Sequence, residues 1–313
     1  MNIKYIYIFG VGGIGGFIGS RIVEGTKSQP DIKTFFVARG KHKEAIEKNG
    51  LLLEFGNEQV LAYPAQTTED PENLPQPDVC FLCVKSYDLE SSCLQLKKKI
   101  YDHTVIIPVL NGIDIYERMR KILDQGFILP GCVYMNAFVK EPGVIKHLHN
   151  DLVVFGKDPQ QRNGVGEEVF EFLNEIPGIR FKFQEDPYPA IWEKYMFVAA
   201  YALVTAYSRL TIRQVYEDEV MRKMVLVILN EINSIALKKG YVFPGSIADE
   251  LAERGGRLPP DAVTSYQRDL ALKNGRNEGD IFGETIIRMG NELGVPAPVT
   301  LKIYNGIQTN YKF

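Results

Sequence analysis

The first half of the chain alternates short apolar runs with longer amphipathic stretches. "KYIYIFG" is rich in β-branched and aromatic residues and stops at Gly10, which predicts a strand. A helix is expected from about Gly13 to Thr26, then a second strand in "IKTFFVA" and a short helix in "HKEAIEKNG" closed by Gly50. "LLLEF" and "VLAYPA" flank "GNEQ" as an extra strand pair. "DVCFLCV" and "TVIIPVL" are almost wholly apolar, the pattern of strands covered on both faces, and "SYDLESSCLQLKKKI" between them reads as amphipathic helix. "CVYMNAFV", "GVIKHLH", "DLVVFG" and "RFKFQED" add further strands. Alternating β and α units predict a parallel, doubly wound Rossmann-type sheet. The later strand-rich run suggests an antiparallel addition at its edge.

The pattern changes at Asp186. "PYPAIWEKYMFVAAYALVTAYSRL" carries no turn signal, and "VYEDEVMRKMVLVILNEINSIALKKG" is a long amphipathic helix stopped by Gly240. More helix follows, interrupted at "FPG", "GGRLPP" and "GVPAP". The expected fold is therefore α/β, with a Rossmann-like domain over 1–185, an all-α domain over 186–313, and a cleft between them. The most apolar helix, Tyr195 to Ser208, has 14 residues, short of the roughly 20 that span a bilayer. The apolar run at the N-terminus breaks too early for a secretory leader. A cytoplasmic protein with no membrane partner is expected.

Composition narrows the partners. The chain has 313 residues, 45% hydrophobic and 24% charged, with a net charge of -3. That is a globular profile without the basic field that nucleic acid requires, so a small molecule is the expected ligand. Cys80 and Cys83 form a C-x-x-C, but within a strand residues three apart face opposite sides. They are expected to be buried hydrophobes rather than metal ligands.

The stretch "IFGVGGIGG" carries the first candidate chemistry. Gly10, Gly12 and Gly15 fit G-x-G-x-x-G after a strand and before a helix. The first glycine permits a tight turn, the second lets backbone approach a pyrophosphate, and the third lets helix pack on strand. Gly13 and Ile14 then open the helix, whose N–H groups and dipole favour an anion. A plain strand–helix turn is the alternative. An NAD reader carries Asp or Glu at the end of the second strand, whereas this chain has Arg39, with Lys41 and Lys43 nearby. A guanidinium suits a 2′-phosphate, so NADP(H) is expected over NAD(H); a solvated basic loop is the alternative.

Two other strand ends carry polar residues, Lys85 in "CFLCVKSYD" and Asn111 in "IIPVLNGID". Ligands gather at such ends in doubly wound sheets, although either residue also suits an ordinary surface loop. In the second half, Lys194 has Ile191, Phe197 and Val198 as helical neighbours. Such a lysine either snorkels to water or, beside a cleft, serves as an acid or base. "TSYQRDLALKNGRNEGDIFGE" places Ser265, Gln267, Arg268, Asp269, Glu278 and Asp280 close in sequence. These form either a solvated helix and loop or the polar wall of a cleft in which Glu278 can pair with Lys194.

In this order, "GVGGIGG", "ARG", "VKSYD", "LNGID", "WEK" and "TSYQRD…GRNEGDIFGE" resemble the ketopantoate reductase (2-dehydropantoate 2-reductase) family over nearly the whole chain. The resemblance implies NADPH-dependent reduction of ketopantoate to pantoate, on the route to pantothenate and coenzyme A. It also implies that Gly10, Gly12 and Gly15 hold the pyrophosphate and Arg39 the 2′-phosphate, with Lys85 and Asn111 beside nicotinamide and substrate. Lys194 matches the family's general acid, Ser265 a residue near the substrate carboxylate, and Glu278 an acidic residue supporting lysine and substrate.

The chain departs from the family at Val198 and Ala202, where familiar members carry asparagines that contact the substrate's hydroxyl end, and in the longer "ALKNG". A more apolar 2-oxo acid is therefore an alternative substrate. Two further readings stay open: a related dehydrogenase of 3-hydroxy acids or opines, and a non-catalytic NADP(H)-binding sensor. The long helices are compatible with a homodimer.

Overall fold

The structure is a computed structural model that describes residues 1–161, 164–272 and 275–311. Lys273 and Asn274, in the "ALKNG" stretch, lie outside the described residues. The chain divides into two compact units, Met1–Leu110 with Ile115–Pro187, and Asn111–Asp114 with Tyr188–Phe313.

The first unit contains β1 (Tyr5–Phe9), α1 (Gly13–Gly25), β2 (Lys33–Val37), α2 (Gly40–Asn49), β3 (Leu51–Phe55), β4 (Glu58–Ala62), β5 (Gln66–Thr68), β6 (Val79–Leu82) and α3 (Leu89–Lys97). It continues through β7 (Val105–Pro108), α4 (Ile115–Arg120), β8 (Phe127–Ile128), β9 (Gly131–Glu141), β10 (Val144–Gly156), α5 (Val165–Asn174) and β11 (Arg180–Gln184). Six strands form a sheet in the order β5-β2-β1-β6-β7-β8, and every neighbouring pair is parallel. From β1 the chain moves to β2 on one side and later returns to β6 on the other. The carboxyl ends of β1 and β6 thus form a topological switch point, where doubly wound sheets bind ligands. Both faces of these strands are covered. Ile6, Ile8, Phe81, Ile106 and Ile107 are fully buried, which explains why their sequences do not alternate.

The later strands do not extend this sheet as an antiparallel edge. They form a second, five-stranded sheet in which β10 pairs in parallel with β3 and β11. Only β9–β10 and β3–β4 are antiparallel. "GVIKHLH" and "DLVVFG" are one continuous strand, β10, whose pairing with β9 is irregular around His147 to Asp151. Helix α1 lies against this second sheet: a Cβ added at Gly13 would fall 2.1 Å from the Ala137 carbonyl, and one at Gly16 would fall 2.5 Å from Ile145.

The second unit is helical: α6 (Tyr188–Ser208), α7 (Ile212–Glu217), α8 (Glu219–Lys238), α9 (Ile247–Gly255), α10 (Ser265–Ala271), a π-helical turn (Asp280–Glu284), α11 (Thr285–Leu293) and α12 (Pro298–Asn310). Helix α6 is the central element, with Tyr201, Leu203 and Val204 fully or almost fully buried. A helix apolar on all sides belongs in a protein core. No helix among the described residues is long and apolar enough to cross a membrane.

The start of α12 is held by a buried carboxylate. Glu231 of α8 accepts the Val299 N–H at 2.8 Å, the Thr300 N–H at 3.0 Å and the Thr300 hydroxyl at 2.6 Å. These are donors that a helix N-terminus leaves unsatisfied. Replacing Glu231 with Ala is expected to cost roughly 1–2 kcal/mol, the range for a lost N-terminal cap, as a lower urea midpoint at unchanged slope.

Candidate active site

In the first unit the candidate residues gather at the carboxyl ends of β1, β2 and β6. Gly10 turns the chain after β1 with φ +94, and a Cβ there would lie 2.9 Å from the Cys83 carbonyl carbon. Side chains rarely adopt this φ, and the approach of two strand ends leaves no room for one. Gly15 packs α1 onto this turn: its Cβ would fall 2.0 Å from the Gly10 carbonyl oxygen. Gly12 differs, because a Cβ there would meet no atom within 4 Å. Its φ of -80 is ordinary, and no side chain caps the α1 N-terminus that it begins. The glycines at 10, 13 and 15 therefore answer internal packing, while Gly12 faces open space at a helix N-terminus. That is the arrangement an approaching pyrophosphate needs. Ile14 is half-buried against the apolar core.

Arg39 lies two residues beyond β2, at the N-cap of α2, and its side chain is 65% exposed. It is not an isolated cation: its terminal nitrogen donates to Asp88 Oδ2 at 2.5 Å. Asp88 lies in the short 3-10 turn after Lys85, and its carboxylate is largely buried. The next residue, Gly40, opens α2 and donates its N–H to Glu69 Oε1 at 2.9 Å. Lys43 pairs with Glu47 at 3.0 Å, and Lys41 is exposed. Lys85 is half-buried just beyond β6, at the N-cap of the 3-10 turn. Cys80 and Cys83 are free thiols, and burial pushes both upward from the usual thiol range.

In the second unit the structure brings together residues that are far apart in sequence. Asn111–Asp114, the last four residues of "LNGID", belong here, whereas Leu110 stays with the strand that precedes it. Lys194 Nζ donates to Asn111 Oδ1 at 2.8 Å, and the Arg288 guanidinium donates to Asp114 Oδ2 at 2.5 Å, which helps hold this segment. Gly112, between them, has φ +127 and permits the turn. The Lys194 amine is thus oriented by an amide oxygen.

The neighbouring residue, Tyr195, donates its hydroxyl to the Ile281 carbonyl at 2.5 Å. This ties α6 to the π-helical turn that follows the buried Glu278. A Cβ on Gly279 would lie 2.8 Å from the Tyr266 hydroxyl, so the residue after Glu278 packs on Tyr266 of α10. At the start of α10, Thr264 caps the helix and lies 3.1 Å, oxygen to oxygen, from Thr205 of α6. Ser265 and Val198 are half-buried, whereas Ala202 is fully buried.

Several of these residues carry no local signal. Tyr195 and Tyr266 read as core aromatics, and Arg288 and Asp114 as surface charges. Asp88 stands within "VKSYD", yet nothing in the sequence points it at Arg39. Glu69 lies after a polar three-residue strand that apolar periodicity misses.

A doubly wound sheet with an open glycine turn at its switch point, and a helical unit that holds a lysine amine on an amide, fit an oxidoreductase of the Rossmann type. The chain belongs to the ketopantoate reductase PanE/ApbA family. That family's model matches residues 6–160 and its C-terminal model matches residues 187–310, and the family's enzymes act on CH–OH groups.

Among relatives, the chain is 26% identical over 306 residues to the uncharacterized oxidoreductase YkpB of Bacillus subtilis (strain 168), covering 96% of this chain and 97% of that protein. It is 26% identical over 299 residues to a 2-dehydropantoate 2-reductase of Pyrococcus horikoshii, covering 96% and 95%. Among solved structures, a PanE/ApbA family ketopantoate reductase from Ralstonia eutropha JMP134 superposes with a TM-score of 0.88 at 22% identity, covering 98% of each chain. A D-mandelate dehydrogenase solved with NADH and anilino(oxo)acetate superposes with a TM-score of 0.85 at 18% identity, again covering 98% of each. These two structural likenesses establish a shared fold.

Proposed function

We propose that this protein is an NADPH-dependent 2-oxo acid reductase whose substrate is 2-dehydropantoate (ketopantoate), reduced to pantoate on the route to pantothenate and coenzyme A. The observation that carries the proposal is the Lys194–Asn111 bond of 2.8 Å: an amine held by a fixed amide oxygen on the helix that forms the core of its unit. The named relatives of 2-dehydropantoate 2-reductase type support the substrate.

Gly10, Gly12, Gly13, Ile14 and Gly15 would hold the cofactor's pyrophosphate at the α1 N-terminus, and Arg39 its 2′-phosphate. Lys85 and Asn111 would lie beside the nicotinamide. When bound, that cofactor supplies a hydride to the C2 ketone. The protein supplies position and a proton. Charge develops on the ketone oxygen as the carbon is reduced, and the Lys194 ammonium stabilises that charge and donates the proton at Nζ. Asn111 accepts from Lys194 and keeps Nζ oriented. Glu278 supports the lysine and the substrate, and Ser265 binds the substrate carboxylate.

A second substrate reading follows from Val198 and Ala202. Neither side chain can bond a substrate hydroxyl, and a site lacking that partner discriminates weakly in favour of a hydroxylated acid. On this reading the substrate is a 2-oxo acid more apolar than ketopantoate. The D-mandelate dehydrogenase, which shares the fold and was solved with anilino(oxo)acetate, supports this reading.

A panel of 2-oxo acids followed by loss of NADPH absorbance separates the readings. The highest kcat/KM is expected with ketopantoate. A clear preference for an apolar 2-oxo acid supports the second reading, and no turnover on the whole panel removes both.

A further inference from the structure

Two carboxylates, Asp88 and Glu69, lie at the loop that carries Arg39. Two donors on this loop already have acceptors within the chain: the Arg39 guanidinium on Asp88 at 2.5 Å and the Gly40 N–H on Glu69 at 2.9 Å. Both carboxylates reach the end of β2 from other strands, Glu69 from just beyond β5 and Asp88 from the turn after β6. A reader of a ribose 2′-hydroxyl usually carries its carboxylate at the end of the second strand. Here Arg stands in that place, and carboxylates arrive from the ends of β5 and β6.

We propose that Asp88 and Glu69 stand in for the 2′-phosphate in the free protein and set the discrimination between phosphorylated and unphosphorylated dinucleotides. The proposal rests on the placement of Arg39 at the adenosine end. A phosphomonoester carries between one and two negative charges near neutral pH. To bind, it shares Arg39 with one carboxylate and competes with the other for the Gly40 N–H. Arg39 has donors to spare, since a guanidinium offers five and Asp88 takes one at the terminal nitrogen, so the 2′-phosphate is accepted against a local repulsion. The unphosphorylated dinucleotide meets no such repulsion, and its ribose hydroxyl finds carboxylate acceptors. Preference for the phosphorylated cofactor is therefore held below what Arg39 alone would give.

Calorimetric titration of the full-length protein with NADP+ and with NAD+ tests this without turnover. Glu69→Gln and Asp88→Asn are each expected to tighten NADP+ relative to NAD+ by roughly three- to fivefold, the size of a partly exposed charge interaction. The Asp88→Asn effect should shrink in an Arg39→Ala background, because part of it acts through the Arg39–Asp88 pair. Glu69 is exposed, so its variant reports even where the buried Asp88 variant fails to fold. Arg39→Ala alone is expected to lower the NADP+ preference. If Arg39→Ala lowers it but Glu69→Gln and Asp88→Asn leave it unchanged or reduce it, the proposal is overturned while the placement of Arg39 stands. If Arg39→Ala does not move the ratio, the placement fails and the proposal fails with it.

Discussion

Replacing Lys194 with Ala is expected to lower kcat by roughly two to four decades, the contribution typical of a positioned general acid. The oxygen of the reduced ketone must gain a proton in the step that creates the new C–H bond. Without an ammonium at that place, water is the remaining donor, and it is neither oriented nor charged. The half-buried Lys194 projects from a helix whose buried residues lie on its other positions, so truncation should leave the unit folded. Calorimetric binding of NADP+ should stay close to that of the unaltered protein while turnover collapses. Asn111→Ala should give a smaller loss of kcat, because it removes the orientation of Nζ rather than the proton. Near-normal turnover by the Lys194 variant would remove the lysine from its proposed role.

The second large effect separates two glycines of one motif. Gly15→Ala places a methyl group 2.0 Å from the Gly10 carbonyl oxygen and 2.9 Å from Cys83 Cβ. Two backbone segments would have to part, and the expected cost is about 3 kcal/mol, the upper end for overpacking. Gly12→Ala adds its methyl to open space at a permitted φ. Stability should fall by less than about 1 kcal/mol, the scale of a weakened N-cap. NADP+ affinity should fall by about tenfold or more, because the methyl occupies the approach path of the pyrophosphate. Thermal denaturation and calorimetry on both variants give opposite patterns: lost stability for Gly15 and lost affinity for Gly12. Equal behaviour of the two would contradict a cradle at Gly12.

The glycine turn could be read from sequence because all its determinants are local: a buried strand, three glycines at fixed spacing and a helix that starts at once. The helical second half was legible for the same reason, since α6 and α8 are long and lack internal breaks. The second sheet was not. Its defining contact pairs β10 with β3, segments nearly a hundred residues apart, and no local pattern specifies parallel pairing across such a distance. β10 reads as two strands in the sequence because polar residues between His147 and Asp151 interrupt its apolar pattern, where the ladder is irregular.

The candidate site divides along the same line. Arg39 and Lys194 stand out by type and position, but their partners reach them through tertiary structure. Asp88 is 49 residues from Arg39, and Asn111 is 83 residues from Lys194. Asn111 reads as a strand-end residue, yet it belongs to the helical unit, held there by the bonds to Lys194 and from Arg288 to Asp114.

The most direct test of the central claim is the fate of the hydride. NADPH carrying deuterium at the transferable C4 position is incubated with the enzyme and ketopantoate, and the product is analysed by mass spectrometry. Pantoate one mass unit heavier, with the label at C2, is expected, and that product is lost in the Lys194→Ala variant. Unlabelled pantoate, or none while NADPH remains unconsumed, would contradict it.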